Sequence, residues 1–316
     1  MQSTLHNPRI PPHSGLQPSD QFGPKSKLVL VDRLNLQSAR LRCNSEDGQL
    51  RSVAVHPPDF LSWTTDSAIN AVECANPSPP TEIVIREHGL LVEALLGEGV
   101  DVVMVRPQST LPEAVYQRDS VVVIGGQAFA AKFKFPVRQA EVGVISGAKS
   151  PWKPEDTIEF GDVLVFPELV LVGLSDRTNS SALQTLRTQI SDREIIPLPL
   201  KPGTLHLDYA TTIGGRGQMK TIITCPELYD DTRTLPMLTS MLNIHHVILV
   251  SENDYANGWT NVFFVSPDTV ISTTASRKVN DQLRKIGFKV IELPFDGILT
   301  GQGAPRCCTA PLVRED

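Results

Sequence analysis

The sequence predicts an α/β chain built from one repeated strand–strand–helix–strand module and closed into a ring. Three observations predict it. Paired apolar runs recur along the chain; each pair is followed by a helix-spaced segment and a further apolar run; and a polar segment rich in reactive residue types precedes the first run of each copy. Copies of one unit stack because each covers its neighbour's apolar face, and five of them close a ring more naturally than they form two domains.

The copy nearest the C-terminus is the clearest. NVFFVS and TVIST flank a turn at Pro267-Asp268. SRKVNDQLRKIG follows, with Val279, Leu283 and Ile286 at helical spacing and Gly287 placed to end the helix, and FKVIELP returns as a strand. DVLVF and LVLVGL, turning at Pro167-Glu168, form the same pair, followed by a helix carrying Leu183, Leu186 and Ile190 and by EIIPLPL. YATTIGG and GQMKTIITC lead to a helix with Leu235, Leu238 and Leu242, then to HHVILVS. SVVVIGGQAFAAKF gives a further hairpin whose helix is poorly marked, and an N-terminal copy runs from SVAVHPP through a helix with Ile85, Val92 and Leu95 to VDVVMVRP.

Composition excludes several classes. At 41% hydrophobic and 20% charged the chain is of ordinary globular type, long enough to bury a core without staples. A net charge of -6 leaves no basic footprint for nucleic acid. Cys43, Cys74, Cys225, Cys307 and Cys308 form neither a disulfide framework nor a zinc pair, so reduced thiols in the cytoplasm are expected. No apolar run is long enough for a membrane span. Residues 1–26 are rich in Pro, Ser, Gln and Gly and are expected to be a disordered lead-in, with residues 27–316 forming one catalytic domain.

The chemistry sits at the module heads. These read Gln117-Arg118-Asp119, Glu159-Phe160-Gly161-Asp162, His206-Leu207-Asp208, Trp259-Thr260-Asn261 and Arg306-Cys307-Cys308-Thr309, at intervals of 43 to 53 residues. Equivalent positions in a ring converge on its axis, so a cysteine, a histidine, several carboxylates and an amide would share one pocket. A thiolate is a nucleophile once a neighbouring base or charge activates it. A histidine passes protons near neutral pH, and carboxylates suit a planar guanidinium with its fixed N–H donors. A bound cation would also offset the carboxylates that oppose a thiolate, tying activation to binding.

RDSVVV, IEFGDVLV with VGLSDRTN, LHLDYATT, ANGWTNVFFVSP and RCCTAPL, in that order, resemble the guanidino-group modifying enzymes: dimethylarginine dimethylaminohydrolases, arginine deiminases and amidinotransferases. The resemblance runs from about Asp119 to the C-terminus. It implies the five-bladed α/β propeller called the pentein fold, a small cationic guanidino substrate, and no metal or organic cofactor. It assigns Cys307 as nucleophile, His206 as proton carrier and Glu159 as its support. Asp119 and Asp208 would hold the guanidinium, and Arg177 with Arg138 the substrate's α-carboxylate.

Cys308 reads as packing, Asn261 as structural or outer-shell, and Asp162 equally as turn support or ligand. Asp208 is an acid that dimethylarginine hydrolases commonly lack, whereas Arg306 stands where deiminases usually carry histidine, and Arg-Asp-Ser replaces their Arg-Asp-Pro. Arginine and methylarginine therefore both stay open as substrates. Arginine dihydrolase, amidinotransferase and, last, a non-catalytic binding protein are the alternatives, and homo-oligomer formation is open.

Overall fold

A computed structural model describes residues 26–63 and 68–316, so the expected lead-in lies outside the described residues apart from Ser26. Three sheets repeat one topology, an antiparallel hairpin whose second strand pairs in parallel with a strand returning after a helix. They comprise Val163–Val165, Leu169–Leu174 and Glu194–Pro199; Thr211–Gly214, Thr221–Thr224 and His246–Leu249; and Phe263–Ser266, Thr269–Thr273 and Lys289–Leu293. The hairpin strands are largely buried on both faces, which is why they read as continuous apolar runs rather than alternating ones, whereas the returning strands are only partly buried.

The connecting helices follow their periodicity. Ser180–Gln189 is capped by the Asn179 side chain and buries Ala182, Leu183 and Leu186. Arg277–Ile286 buries Val279 and Leu283 and ends at Gly287, whose φ of 117° places it in the left-handed cap position. Thr234–Met241 stops one residue earlier than expected, with Leu242 as its cap.

The two remaining copies depart from the local pattern. After the hairpin of Val121–Ile124 and Gln127–Ala130, the helix shrinks to Pro136–Gln139 and a 3-10 turn, Ala140–Val144. The returning strand is reduced to a single parallel bridge between Phe129 and Lys149. The N-terminal copy draws its first strand from the other end of the chain. Ala310–Glu315 pairs antiparallel with Gln49–Val55, which pairs in parallel with Asp101–Val105 after the helix Thr81–Gly97. In that helix Val84 and Leu91, with Val92 and Leu95, face the core, while Ile85 is half-buried. Leu28–Val31 adds a fourth, parallel strand.

Each hairpin begins immediately after a tight turn, and those turns are the five heads. Asp119 lies in Gln117–Ser120, Glu159 and His206 precede Phe160–Asp162 and Leu207–Ala210, and Asn261 and Cys307 stand just before Phe263–Ser266 and Ala310–Glu315. Among the described residues no helix is long and apolar enough to cross a membrane.

Candidate active site

The heads are joined by one backbone–backbone hydrogen bond and by side chains of Asn261 and Asp162 that reach neighbouring backbones. Arg118 N donates to Cys307 O at 3.0 Å, Cys307 N to Asn261 Oδ1 at 3.1 Å, and Asn261 Nδ2 to Asp208 O at 3.1 Å. Leu207 N donates to Asp162 Oδ1 at 2.8 Å, and Asp162 also accepts from the Ser175 hydroxyl. Asn261 and Asp162 are thus the fastening of the site, while Asp119, His206 and Cys307 line one narrow cleft.

His206 is held between two acids. One ring nitrogen, Nε2, lies 3.0 Å from Glu159 Oε2, and the other, Nδ1, 3.6 Å from Asp119 Oδ1. Burial disfavours the imidazolium, but Asp119, the Glu159 hydrogen bond and Asp162 outweigh it and lift the ring to about 9. Glu159 is fully buried, yet Arg177 and His206 overcome that burial and hold it at about 2. At neutral pH the pair is therefore carboxylate and imidazolium, with His206 carrying a transferable proton. This close approach depends on Gly161, where a Cβ would stand 2.7 Å from His206 Cγ and 2.8 Å from Asp119 Oδ1.

Both expected arginines line the cleft, and both are already engaged. Arg138 Nη1 donates to Asp119 Oδ2 at 2.7 Å, and its Nε and Nη2 take the two oxygens of Glu141 at 2.8 and 2.9 Å. Arg177 donates to Glu159 Oε2 at 3.0 Å and to the Ile69 carbonyl at 2.6 Å. Their guanidinium planes also rest on Phe133 and Phe135.

Cys307 is buried, and burial together with Asp208 and Asp119 pushes its thiol well above its ordinary value. Cys308 belongs to the apolar core. Asp208 gives one oxygen, Oδ2, to Arg306 at 2.5 Å; its Oδ1, like Asp119 Oδ1, is buried without a hydrogen-bond partner among the described residues. Both carboxylates oppose ionisation of the thiol, Asp119 from the cleft wall, where its Oδ1 also faces His206 Nδ1 at 3.6 Å, and Asp208 from outside the residues that line the cleft.

Asp119, Glu159 and His206 could present three ligand atoms within 4.8 Å of one another to a metal. An ion there would sit against the cationic groups of Arg138 and Arg177, which already occupy both carboxylates.

Residues 64–314 match the family model described as N,N dimethylarginine dimethylhydrolase, eukaryotic. The chain belongs to this family. Through it the chain is a member of the pentein superfamily of guanidino-group modifying proteins. The chain is similar to uncharacterized protein YkgA of Bacillus subtilis (strain 168), 31% identical over 280 residues, 86% of this chain and 95% of that one. An arginine deiminase of Latilactobacillus sakei is 26% identical over 257 residues, covering 65% of this chain and 62% of that protein. Among solved structures, the N-terminal domain of ArgZ, an arginine dihydrolase from Cyanobacteria, shares the fold at a TM-score of 0.72 and 22% identity, covering 84% and 98% of the two chains.

This pentein also carries cleft residues outside the repeated heads. Asn70, Glu73, Glu113, Tyr116 and Gln302 line the wall beside Asp119 and Arg138. Asn70 caps the short helix Ala71–Ala75 by accepting from Glu73 N, and Glu73 Oε1 accepts from Asn70 Nδ2 at 2.7 Å. Asn70-x-x-Glu73 is a capping-box spacing, a signal that could have placed both residues from sequence. Gly301 and Gly303 let Tyr116 pass, since a Cβ at either would fall about 2 Å from its ring or hydroxyl.

Proposed function

We propose that this protein is a cysteine-dependent hydrolase of the guanidine group of free arginine or N-methylated arginine, acting through a covalent thiouronium intermediate. One arrangement carries the reading: a buried thiol in the field of two carboxylates that each keep an oxygen free of hydrogen bonds, in one cleft with an imidazolium supported by a carboxylate. The repeated sheets would stand as five blades about the axis on which the heads meet.

A guanidinium donating to Asp119 Oδ1 and Asp208 Oδ1 brings its carbon to Cys307. Its charge offsets the two carboxylates that hold the thiol neutral, so binding promotes ionisation, with the thiol proton passing to solvent. The Cys307 thiolate adds to the guanidinium carbon, and the C–N bond breaks as His206 protonates the departing nitrogen. Ammonia or a methylamine leaves, and the carbon stays on sulfur. His206, now neutral, takes a proton from water; the resulting oxygen attacks, the C–S bond breaks, and citrulline departs as the thiol regains its proton. Glu159 stabilises the imidazolium, Arg177 and Arg138 aim Glu159 and Asp119, and a substrate carboxylate would share those two guanidiniums. No step calls for a metal or organic cofactor.

The test is incubation with arginine, monomethylarginine and asymmetric dimethylarginine, products being identified by mass spectrometry against a Cys307→Ser control. Citrulline that disappears in the variant supports the reading, and the co-product names the substrate. Ornithine would assign a dihydrolase instead. Product formation equal in the variant, or none from any substrate, would overturn the assignment.

A further inference from the structure

A second charged cluster lies outside the lining of the cleft. Arg118, Arg306 and Arg314 are all buried, each no more than 3% exposed. Arg306 is matched, since it donates to Asp208 and Glu46. Arg314 has uncharged acceptors, the carbonyls of Gly48 and Phe264, both at 2.7 Å. Arg118 Nε and Nη2 have no hydrogen-bond partner among the described residues. Arg118, Arg314 and Glu46 line one small cavity, and Glu46 is the one carboxylate on its wall among the described residues. Both oxygens of Glu46 are already taken, Oε1 by Val165 N at 2.8 Å and Oε2 by Arg306 at 2.7 Å. Cys43, on the same wall, adds no charge, because burial pushes its thiol up to about 12.

We infer that this cavity binds one small monatomic anion, chloride being the common one, through the guanidiniums of Arg118 and Arg314. Charge decides against a water. Glu46 and Asp208 face three guanidiniums, and Asp47, whose field reaches Arg314, is paired with Lys220 at 2.9 Å. Four cations therefore meet three carboxylates, and the surplus falls on the guanidinium with open donors. Burial raises Asp208, and its protonation would enlarge that surplus. Burial and the Arg306 charge push Arg118 down to about 10, which leaves it cationic at neutral pH. A water could accept from Arg118 but would leave a buried charge uncompensated, whereas an anion answers both needs. Size narrows the class. About 10 Å³ is open to the centre of a water-sized particle, room for one atom and too little for sulfate, phosphate or an organic acid. Ser45 lines both this cavity and a wider pocket of about 400 Å³, an entry that shares no residue with the cleft of Cys307. Arg118 N also donates to Cys307 O, so an anion on Arg118 would brace the turn that carries the thiol. The inference is independent of the hydrolase reading.

Chloride itself is the probe. Equilibrium urea unfolding of the full-length protein is followed as chloride replaces gluconate, too large for the cavity, at constant ionic strength. Above the dissociation constant, each tenfold rise in free chloride should raise the folded-to-unfolded ratio about tenfold. Arg118→Met should abolish this dependence. Crystals of the unsubstituted protein grown in chloride give a second measurement. Anomalous scattering at long wavelength should show a peak beside Arg118 and Arg314, separate from the Cys43 sulfur. If Arg118→Met does not fold, the chloride response and the anomalous peak of the unsubstituted protein decide. A ratio indifferent to chloride, a response that Arg118→Met retains, or density in the cavity without anomalous signal, as a water would give, overturns the site.

Discussion

Arg306 Nη1 donates to Asp208 Oδ2 at 2.5 Å, and the same guanidinium reaches Glu46 Oε2 at 2.7 Å through Nη2. One fully buried cation therefore bridges two buried carboxylates and fixes which oxygen of Asp208 is free of hydrogen bonds. An arginine in the position before Cys307 thus serves the fold and the cleft together.

Replacing that guanidinium should be costly. Arg306→Met leaves two carboxylates buried without their cation, and breaking a buried pair from one side costs about 3–5 kcal/mol. Arg306→Lys, which supplies a point charge rather than a planar fork, should recover part of it. Urea denaturation of the three proteins measures the order; equal stability of the Met variant would mean that the bridge contributes nothing.

Gly161 sets the spacing between His206 and Asp119. Gly161→Ala would place a methyl within 2.8 Å of both side chains, so the imidazole must move. Displacement of a proton-transferring group by about 1 Å costs about a hundredfold in rate. The expected result is a fall in kcat of that order with a near-native circular dichroism spectrum. Unchanged kcat would show that the ring position is not critical.

The heads were legible in the sequence because chemistry marked them: cysteine, histidine and carboxylates stood before apolar runs whose periodicity fixed the strands. Asp119, Glu159, His206 and Cys307 converge because the same turn precedes each hairpin. The pairing of Ala310 with Ala54 was not legible, since nothing local in either strand names a partner so distant in sequence. Glu46, Glu73 and Glu113 were missed for a related reason. They lie outside the repeat, and their importance comes from the arginines that the fold brings beside them. Arg138 and Arg177 were found, but their engagement with Asp119 and Glu159 appears only once burial forces each charge to take a partner.

The His206–Glu159 pair gives stability a defined pH window. His206 is raised from 6.5 to about 9, so its contribution is full below 6.5 and lost as pH rises through about 9. Glu159 is depressed from 4.5 to about 2, so its contribution is present above 4.5 and lost as pH falls through about 2. The stability gap between the unsubstituted protein and Glu159→Gln should be widest between 4.5 and 6.5 and should narrow as pH rises through about 9. Urea denaturation at about pH 6 and about pH 10 tests this. A gap that stays flat or widens would show that the imidazolium is not what Glu159 stabilises.

The thiol supplies the last prediction, because Asp208 acts on it twice. Its carboxylate opposes ionisation of Cys307 directly, and it also occupies Arg306, whose own field includes Cys307. Asp208→Asn removes one negative charge and releases part of a positive one, and both changes favour the thiolate. At fixed pH below the thiol's pKa, lowering that pKa raises the thiolate fraction in proportion. Alkylation of Cys307 by iodoacetamide at about pH 8 should accelerate, read by peptide mass spectrometry. Cys74 is exposed and would consume reagent, so the comparison uses a Cys74→Ser background. Cys308 serves as the internal reference, since burial, Glu87 and Asp119 raise its thiol without a contribution from Asp208. Acceleration at Cys307 alone fits a carboxylate acting through its field. Acceleration at both cysteines would indicate a loosened fold instead, and no change at either would remove Asp208 from the surroundings of the thiol.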